Sequence, residues 1–282
     1  MRPDRSIRSP CKPAVLAVLR ATLNPKVEGS IPSGGITLWH VGISHYSEKV
    51  RWALDHKRIP HKRRAILGGF HPLITAIVTR GRHQTVPALS IDGEGFGDSS
   101  AIIAELERRF PERPLYPADP EERRRALELE ELFDEELGPY LRRAAYHDLT
   151  SDPEALKELV LLQTPWATER TADLFGPAIT AFLDARFSIR SERKAEEARA
   201  KVLAALDRLE AELDGNDFLV GDALTVADIT AASLFYGLVL PPNGPWRPKH
   251  LPPGWQAINE ELRERPGLAW VRRMYADHRG PA

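Results

Sequence analysis

Pro111, Pro114, Pro117 and Pro120 divide the chain into two stretches with different patterning. A helix cannot run through such a cluster, because each proline removes a backbone donor and clashes with the preceding turn. Upstream, short apolar runs alternate with helical periodicity. Residues 36–41 form an apolar run suited to a buried strand. Residues 44–57 follow as a helix with Tyr46, Val50, Ala53 and Leu54 on one face. Glu48, Lys49, Arg51 and Asp55 lie mostly off that face, and Pro60 ends the helix. Residues 61–67 are predicted as a strand, at an edge because they are so basic. A weak helix over 72–79, a strand over 86–91, a turn at Asp92-Gly93 and a strand over 95–97 come next. A helix over 99–110 closes the series, with Ile102, Ile103 and Leu106 inward. Strand–helix–strand–helix, then a hairpin and a helix, implies a small α/β domain.

Downstream of Pro120 the periodicity is helical throughout. One helix is expected over 121–145, carrying Leu127, Phe133, Leu137, Tyr140, Leu141 and Ala144. Another is expected over 195–213, carrying Ala198, Val202, Leu206 and Leu209. The 39 basic and 40 acidic residues nearly cancel, so the electrostatic footprint of a nucleic-acid binder is missing. Lys62-Arg63-Arg64 is therefore read as a solvated edge. The single cysteine, Cys11, excludes an internal disulfide and a thiolate metal site. No apolar run is long enough for a membrane span.

Residues 1–35 are expected to be a mobile leader outside the chemistry, with six basic and two acidic residues. A transit peptide is one reading of this basic, acid-poor segment. A start codon placed too far upstream is another. Gly29-Ser30-Ile31-Pro32 is what the T-arm of a transfer-RNA gene would encode if translated.

Three local features carry chemistry, and each also has a purely structural reading. Ser44 sits where a strand hands over to a helix, a place that favours an anion such as a thiolate; it also suits an ordinary N-cap. Pro87 opens a strand, which fits either a cis Val86–Pro87 bond or a trans edge-strand proline. A cis turn would leave the Val86 main chain free to pair with an extended peptide. Asp98-Ser99 begins a helix, where Ser99 and the first N–H groups can take a carboxylate and Asp98 an ammonium. A capping pair is the alternative.

The order and spacing of these features resemble a known family. The S-x-x-x-x-K-V-R-x-A-L run of residues 44–54, the V-P-x-L of 86–89 and the D-S-x-A-I of 98–102 are similar to the glutathione-site signatures of cytosolic glutathione transferases. Thr225-Val226-Ala227-Asp228 resembles the capping box of that family's buried helix. Thr225 and Asp228 are read as folding residues.

The resemblance implies a thioredoxin-like α/β domain over 36–117 and an all-helical domain over 118–282, the second providing a pocket for the other substrate. It is closest to the serine-type, bacterial-like members. It implies Ser44 as the catalytic residue that activates the glutathione thiol. Val86 and Pro87 would bind the cysteinyl backbone, and Asp98 and Ser99 the γ-glutamyl end. Glutathione would serve as co-substrate with no metal. The other substrate would be a small hydrophobic electrophile or peroxide, in a cytoplasmic homodimer of the detoxifying type. The homodimer would form through the first domain's last helix and the second domain's first.

Departures from the family pattern matter. His45 replaces the usual proline after Ser44. Thr85 stands where some members place a glutathione-binding lysine, and Asp98 where many have glutamate. Tyr46 is an alternative hydroxyl donor or a core residue. Arg82, His83, Lys49 and His71 are candidates for the glycyl carboxylate, and Tyr140, Arg143, Tyr146 and Trp166 for the second pocket. No cysteine lies near the site, so protein-based thiol–disulfide exchange is not expected. The second functional reading is a non-catalytic binding or scaffold protein that keeps the fold.

Overall fold

The structure, a computed structural model, describes residues 35–66, 71–163 and 168–280. The expected leader therefore lies outside the described residues apart from Gly35. Among the described residues four strands form one sheet: β1 (Thr37–His40), β2 (Lys62–Ala65), β3 (Ala88–Ile91) and β4 (Glu94–Gly97), in the order β2-β1-β3-β4. β1 pairs parallel with β2 and antiparallel with β3, and β3 pairs antiparallel with β4. The parallel pair needs a crossover, which helix α1 (His45–His56) supplies. The antiparallel pair needs only a tight turn. Asp92 and Gly93 both adopt positive φ, 51° and 84°, as a two-residue hairpin with the native strand twist requires.

Side chains alternate across the sheet and divide the core in two. Leu38, Leu89 and Ile91 join the main core with α1 and with α3 (Ser99–Arg109). Trp39 and Ala88 face the other way, against Ile66 and Ile74, the latter on α2 (His71–Val78). Basic β2 lies at the edge, as expected, and Arg63 there pairs with Asp55 at 2.5 Å.

The helical part opens with α4 (Pro120–Glu136) and α5 (Gly138–Ser151). A single helix over 121–145 does not form. Pro139 cannot donate to the carbonyl four residues back, and its ring would clash there, so the helix ends at Leu137 and restarts. Gly138 has a second role. A Cβ at that position would overlap the Tyr46 hydroxyl and crowd a Leu234 methyl, so the break also admits α1 closely. Next come α6 (Pro153–Gln163), α7 (Glu169–Phe187) and α8 (Glu192–Leu213).

Helix α9 (Val226–Val239) is apolar on nearly all sides and buried from Val226 to Leu238, which makes it the axis of the helical part. Its start shows the predicted capping box. Asp228 accepts from the Thr225 N–H and hydroxyl, each at 2.7 Å, and from the Leu219 N–H at 2.8 Å. Burial nevertheless pushes its carboxyl up to about 6. Helices α10 (Pro253–Glu261) and α11 (Pro266–His278) follow. No helix among the described residues is long and apolar enough to cross a membrane.

The amphipathic reading of α1 fails on its charged side. Glu48 and Lys49 are fully buried and Arg51 nearly so. The helix lies between the sheet and α9, so both faces are covered, and each charge has a partner. Glu48 accepts from Arg51 at 2.7 Å and from Arg279 at 2.8 Å. Arg51 also reaches His40 Nδ1 at 2.8 Å, and Arg279 reaches Asp55 at 2.9 Å.

Removing one partner of such a network strands the others without water. Glu48→Ala is expected to cost about 3–5 kcal/mol, read from urea unfolding at neutral pH. A loss below about 1 kcal/mol would mean that water solvates both guanidinium groups in the variant.

Candidate functional site

Two concavities meet at the start of α1. The larger is a polar cleft of about 540 Å³ between the end of β4, the β3 entry and α4. The smaller is an apolar cavity of about 80 Å³ under α5, α9 and α10.

The cleft gathers Val86, Pro87, Asp98 and Ser99, together with Thr85. The Val86–Pro87 bond is cis. No hydrogen bond to the described residues engages the Val86 main chain, so its N–H and C=O are available to an extended ligand. Asp98 caps α3 with one carboxylate oxygen, accepting from the Ser100 and Ala101 N–H groups at 3.1 Å each. Its φ of 69° with ψ of 129° is an unusual conformation for a non-glycine residue. Strained backbone of this kind is retained where the surrounding structure over-determines it, commonly at ligand clamps. Ser99 is buried, and its hydroxyl makes no hydrogen bond within the described residues. A free N–H, a free hydroxyl and a helix N-terminus together make a carboxylate receptor.

The opposite wall is α4, with Glu130, Glu131, Asp134 and Glu135. Two of these carboxylates are neutralised from below. Lys49 Nζ lies 2.8 Å from Glu130 and 2.5 Å from Asp134, and donates to Ser100 Oγ at 2.9 Å. Lys49 is thus a fully buried tie and not a ligand for a glycyl carboxylate. Burial still holds the Asp134 carboxyl above the ordinary carboxylate range, against the pull of Lys49 and Ser100. Of the other candidates for that carboxylate, Arg82 donates to the Thr79 and Gly95 carbonyls, and neither His83 nor His71 lines the cleft.

Ser44 lines the apolar cavity and caps α1. Its Oγ accepts from the Ser47 N–H at 3.2 Å. A hydroxyl has one proton and two lone pairs, so capping leaves the proton available. The two readings of Ser44 therefore coexist. Tyr46 is a poorer donor candidate, because its hydroxyl already donates to the Asp134 carbonyl at 2.8 Å. Burial raises its pKa further above the ordinary phenol value. The loop before Ser44 is pinned by Tyr236, which donates to the Ile43 carbonyl at 2.6 Å.

His45 occupies the usual proline position and packs inward, its ring 4.5 Å from that of Tyr46. It lines the cavity with an unpartnered Nε2. Burial, reinforced by Arg142, drives its pKa down to about 3, so the imidazole is neutral at physiological pH.

Of the side chains expected to line the second pocket, Tyr146 does so. Tyr140 instead lies under Lys201, and Arg143 donates to the Phe187 carbonyl. Trp166 lies outside the described residues. Sequence reading missed Arg142, Tyr236, Trp246 and Trp255. Tyr236 belongs to the helix that the Thr225–Asp228 cap begins, and Trp246 and Trp255 to the stretch beyond it, read only as helical, so no local pattern marks any of the three.

The chain is similar to known proteins. The family model of the glutathione S-transferase N-terminal domain matches residues 38–114, and that of the C-terminal domain matches residues 170–243. A maleylpyruvate isomerase from Ralstonia sp. is 33% identical over 37% of this chain, and the match spans 49% of that relative. A maleylacetoacetate isomerase from Dictyostelium discoideum is 26% identical over 68% of this chain and 74% of its own length. Among solved structures, the β-etherase LigF from Sphingobium sp. strain SYK-6 superposes with a TM-score of 0.54 at 21% identity. That superposition covers 85% of this chain and 99% of the other.

The buried His45 yields a pH prediction. Its folded pKa lies far below the free value of about 6.5, so acid protonates the unfolded chain first. The contribution is complete above about pH 6.5 and is lost as pH falls towards 3, at about 1.4 kcal/mol per pH unit. Unfolding free energies of His45→Gln, measured between pH 7 and 5, are expected to fall less steeply than wild type by that amount. Equal slopes would place His45 in contact with water.

Proposed function

Because this chain belongs to the glutathione S-transferase family, we propose that it binds glutathione in the polar cleft and activates its thiol beside Ser44. The residues present fit the tripeptide. Ser99, with the first N–H of α3, receives the γ-glutamyl carboxylate, and the remaining oxygen of Asp98 faces the ammonium. The Val86 main chain pairs with the cysteinyl backbone, and Pro87 shapes that edge. When bound, glutathione supplies the sulfur nucleophile that attacks an electrophilic carbon.

The observation that carries this reading is the capping geometry of Ser44. Its oxygen is held by the Ser47 N–H and its proton is uncommitted, at the positive end of α1. Ser44 donates that proton to sulfur and so favours thiolate over thiol. A free thiol titrates near about 8.5, and a shift of about 2 units, worth about 2.7 kcal/mol, would leave it mostly ionised at neutral pH. The small, aromatic-lined cavity next to Ser44 then takes the second substrate. Conjugation and isomerisation are both consistent with such a site, and two relatives are named isomerases.

Ser44→Ala is expected to lower kcat/KM for conjugation about ten- to a hundredfold, the worth of one hydrogen bond to a charged group. The calorimetric Kd for reduced glutathione should barely move. Unchanged turnover would remove Ser44 from the mechanism. No calorimetric binding of glutathione to the wild type at millimolar concentration would leave a non-catalytic scaffold.

The homodimer is proposed on family grounds, through α3 and α4. Gel filtration should report a mass near twice the 31.6 kDa of one chain. A mass near one chain would refute it.

A further inference from the structure

Two residues lining the apolar cavity beside Ser44 carry donors that no described residue satisfies. Arg142 Nε and Trp246 Nε1 are both buried, both belong to residues lining this cavity, and neither has a hydrogen-bond partner among the described residues. Guanidinium and indole nitrogens donate and never accept. Two buried, unpaired donors at one small apolar site are costly to leave unmade. Trp255, on the same cavity, shows the ordinary outcome, since its indole N–H donates to the Gly237 carbonyl at 3.0 Å.

Arg142 is unusual in a second respect. The described residues place no carboxylate on its guanidinium, which instead stacks over the Phe187 ring, 4.8 Å from its centroid. Carboxylates are plentiful nearby, at Glu130, Glu131, Asp134 and Glu135, and Lys49 is spent on two of them. Arg142 also lines the cleft and is the only Arg or Lys among the described residues lining either concavity. His45 beside it is held neutral by burial and by Arg142 itself. The cavity therefore has apolar walls, one guanidinium with no ion-pair partner among the described residues and a second, neutral donor.

We propose that Arg142 and Trp246 form a carboxylate-binding subsite for the second substrate. This rests on the reading of Ser44 as the thiol-activating residue. The electrophile is then a small unsaturated or aromatic compound bearing a carboxylate. Its apolar body lies against Tyr146, Tyr236 and Trp255, and its carboxylate is taken by the guanidinium with the indole N–H alongside. The anion fixes which carbon faces Ser44, so the pair are positioning residues that set specificity.

The test compares benzoate with benzamide, neutral and nearly the same shape, by calorimetry on wild type, Arg142→Gln, Arg142→Lys and Trp246→Phe. Arg142 holds no carboxylate, so its replacement strands no buried anion, and circular dichroism should report a folded variant. Wild type is expected to prefer benzoate by about tenfold or more. Arg142→Gln should abolish the preference, while Arg142→Lys and Trp246→Phe should retain part of it. With 1-chloro-2,6-dinitrobenzene and its 4-carboxylate as paired substrates, Arg142→Gln should raise KM for the carboxylate and leave KM for the neutral chloride within about twofold.

Equal binding of benzoate and benzamide by wild type would overturn the proposal. So would a preference that survives Arg142→Gln, or a rise in KM for glutathione in place of the aromatic. Benzoate binding needs no glutathione. A wild type that binds benzoate but not glutathione defeats the transferase reading and leaves an anion subsite. One that binds glutathione but shows no benzoate preference defeats the subsite alone.

Discussion

The Lys49 ammonium is the interaction on which the site depends. It has no exposure to water, and it touches three elements at once: its own α1, Ser100 of α3, and Glu130 and Asp134 of α4. A buried charge is tolerated only when its partners are close and hydrogen-bonded, and here they come from both parts of the fold. Asp134 completes the junction, accepting from Lys49 and Ser100 with its carboxylate and from Tyr46 with its carbonyl. The N-termini of α1 and α3, which carry Ser44 and Ser99, are thereby held in one frame.

That frame separates two kinds of chemistry. Both helix starts use a side-chain oxygen for capping and keep hydrogen-bonding capacity in reserve: a hydroxyl proton at Ser44, a second carboxylate oxygen and a free serine hydroxyl at Asp98-Ser99. In the cleft, backbone groups and helix ends converge. The cavity under α5 and α9 is lined mainly by apolar and aromatic side chains. Consecutive residues of α1 serve the two sides: Ser44 and His45 face the cavity and Tyr46 the cleft. Tyr236 fixes the loop between them from α9.

The order of elements was legible in the sequence because it rests on local signals. The basic edge strand, the Asp92-Gly93 hairpin and the Thr225/Asp228 cap all express short-range rules. Ser44, Val86 and Asp98-Ser99 were legible for the same reason: each is a special backbone situation as well as a candidate ligand. Helix α4–α5 misled because apolar periodicity runs across Leu137 while Pro139 breaks the hydrogen-bond ladder. The burial of Glu48, Lys49 and Arg51 was hidden because the amphipathic argument assumes one covered face, and α1 has two. Arg142, Trp246 and Trp255 could not be read at all. What they share is a cavity assembled from α1, α5, α9 and α10, and tertiary packing alone creates it.

The pairing of Glu48 with Arg279 spans 231 residues of chain. During synthesis Glu48 leaves the ribosome long before its second cation exists. Until Arg279 emerges, Glu48 has only Arg51 to balance it, and the face of α1 that α9 covers also waits for residues 226–239. Arg279 also closes on Asp55, beside the strand edge at Arg63. Arg279, just past the end of α11, thus acts as a late latch on α1. The α/β part, which is made first and carries Ser44, reaches its final electrostatic balance only once residue 279 has left the ribosome.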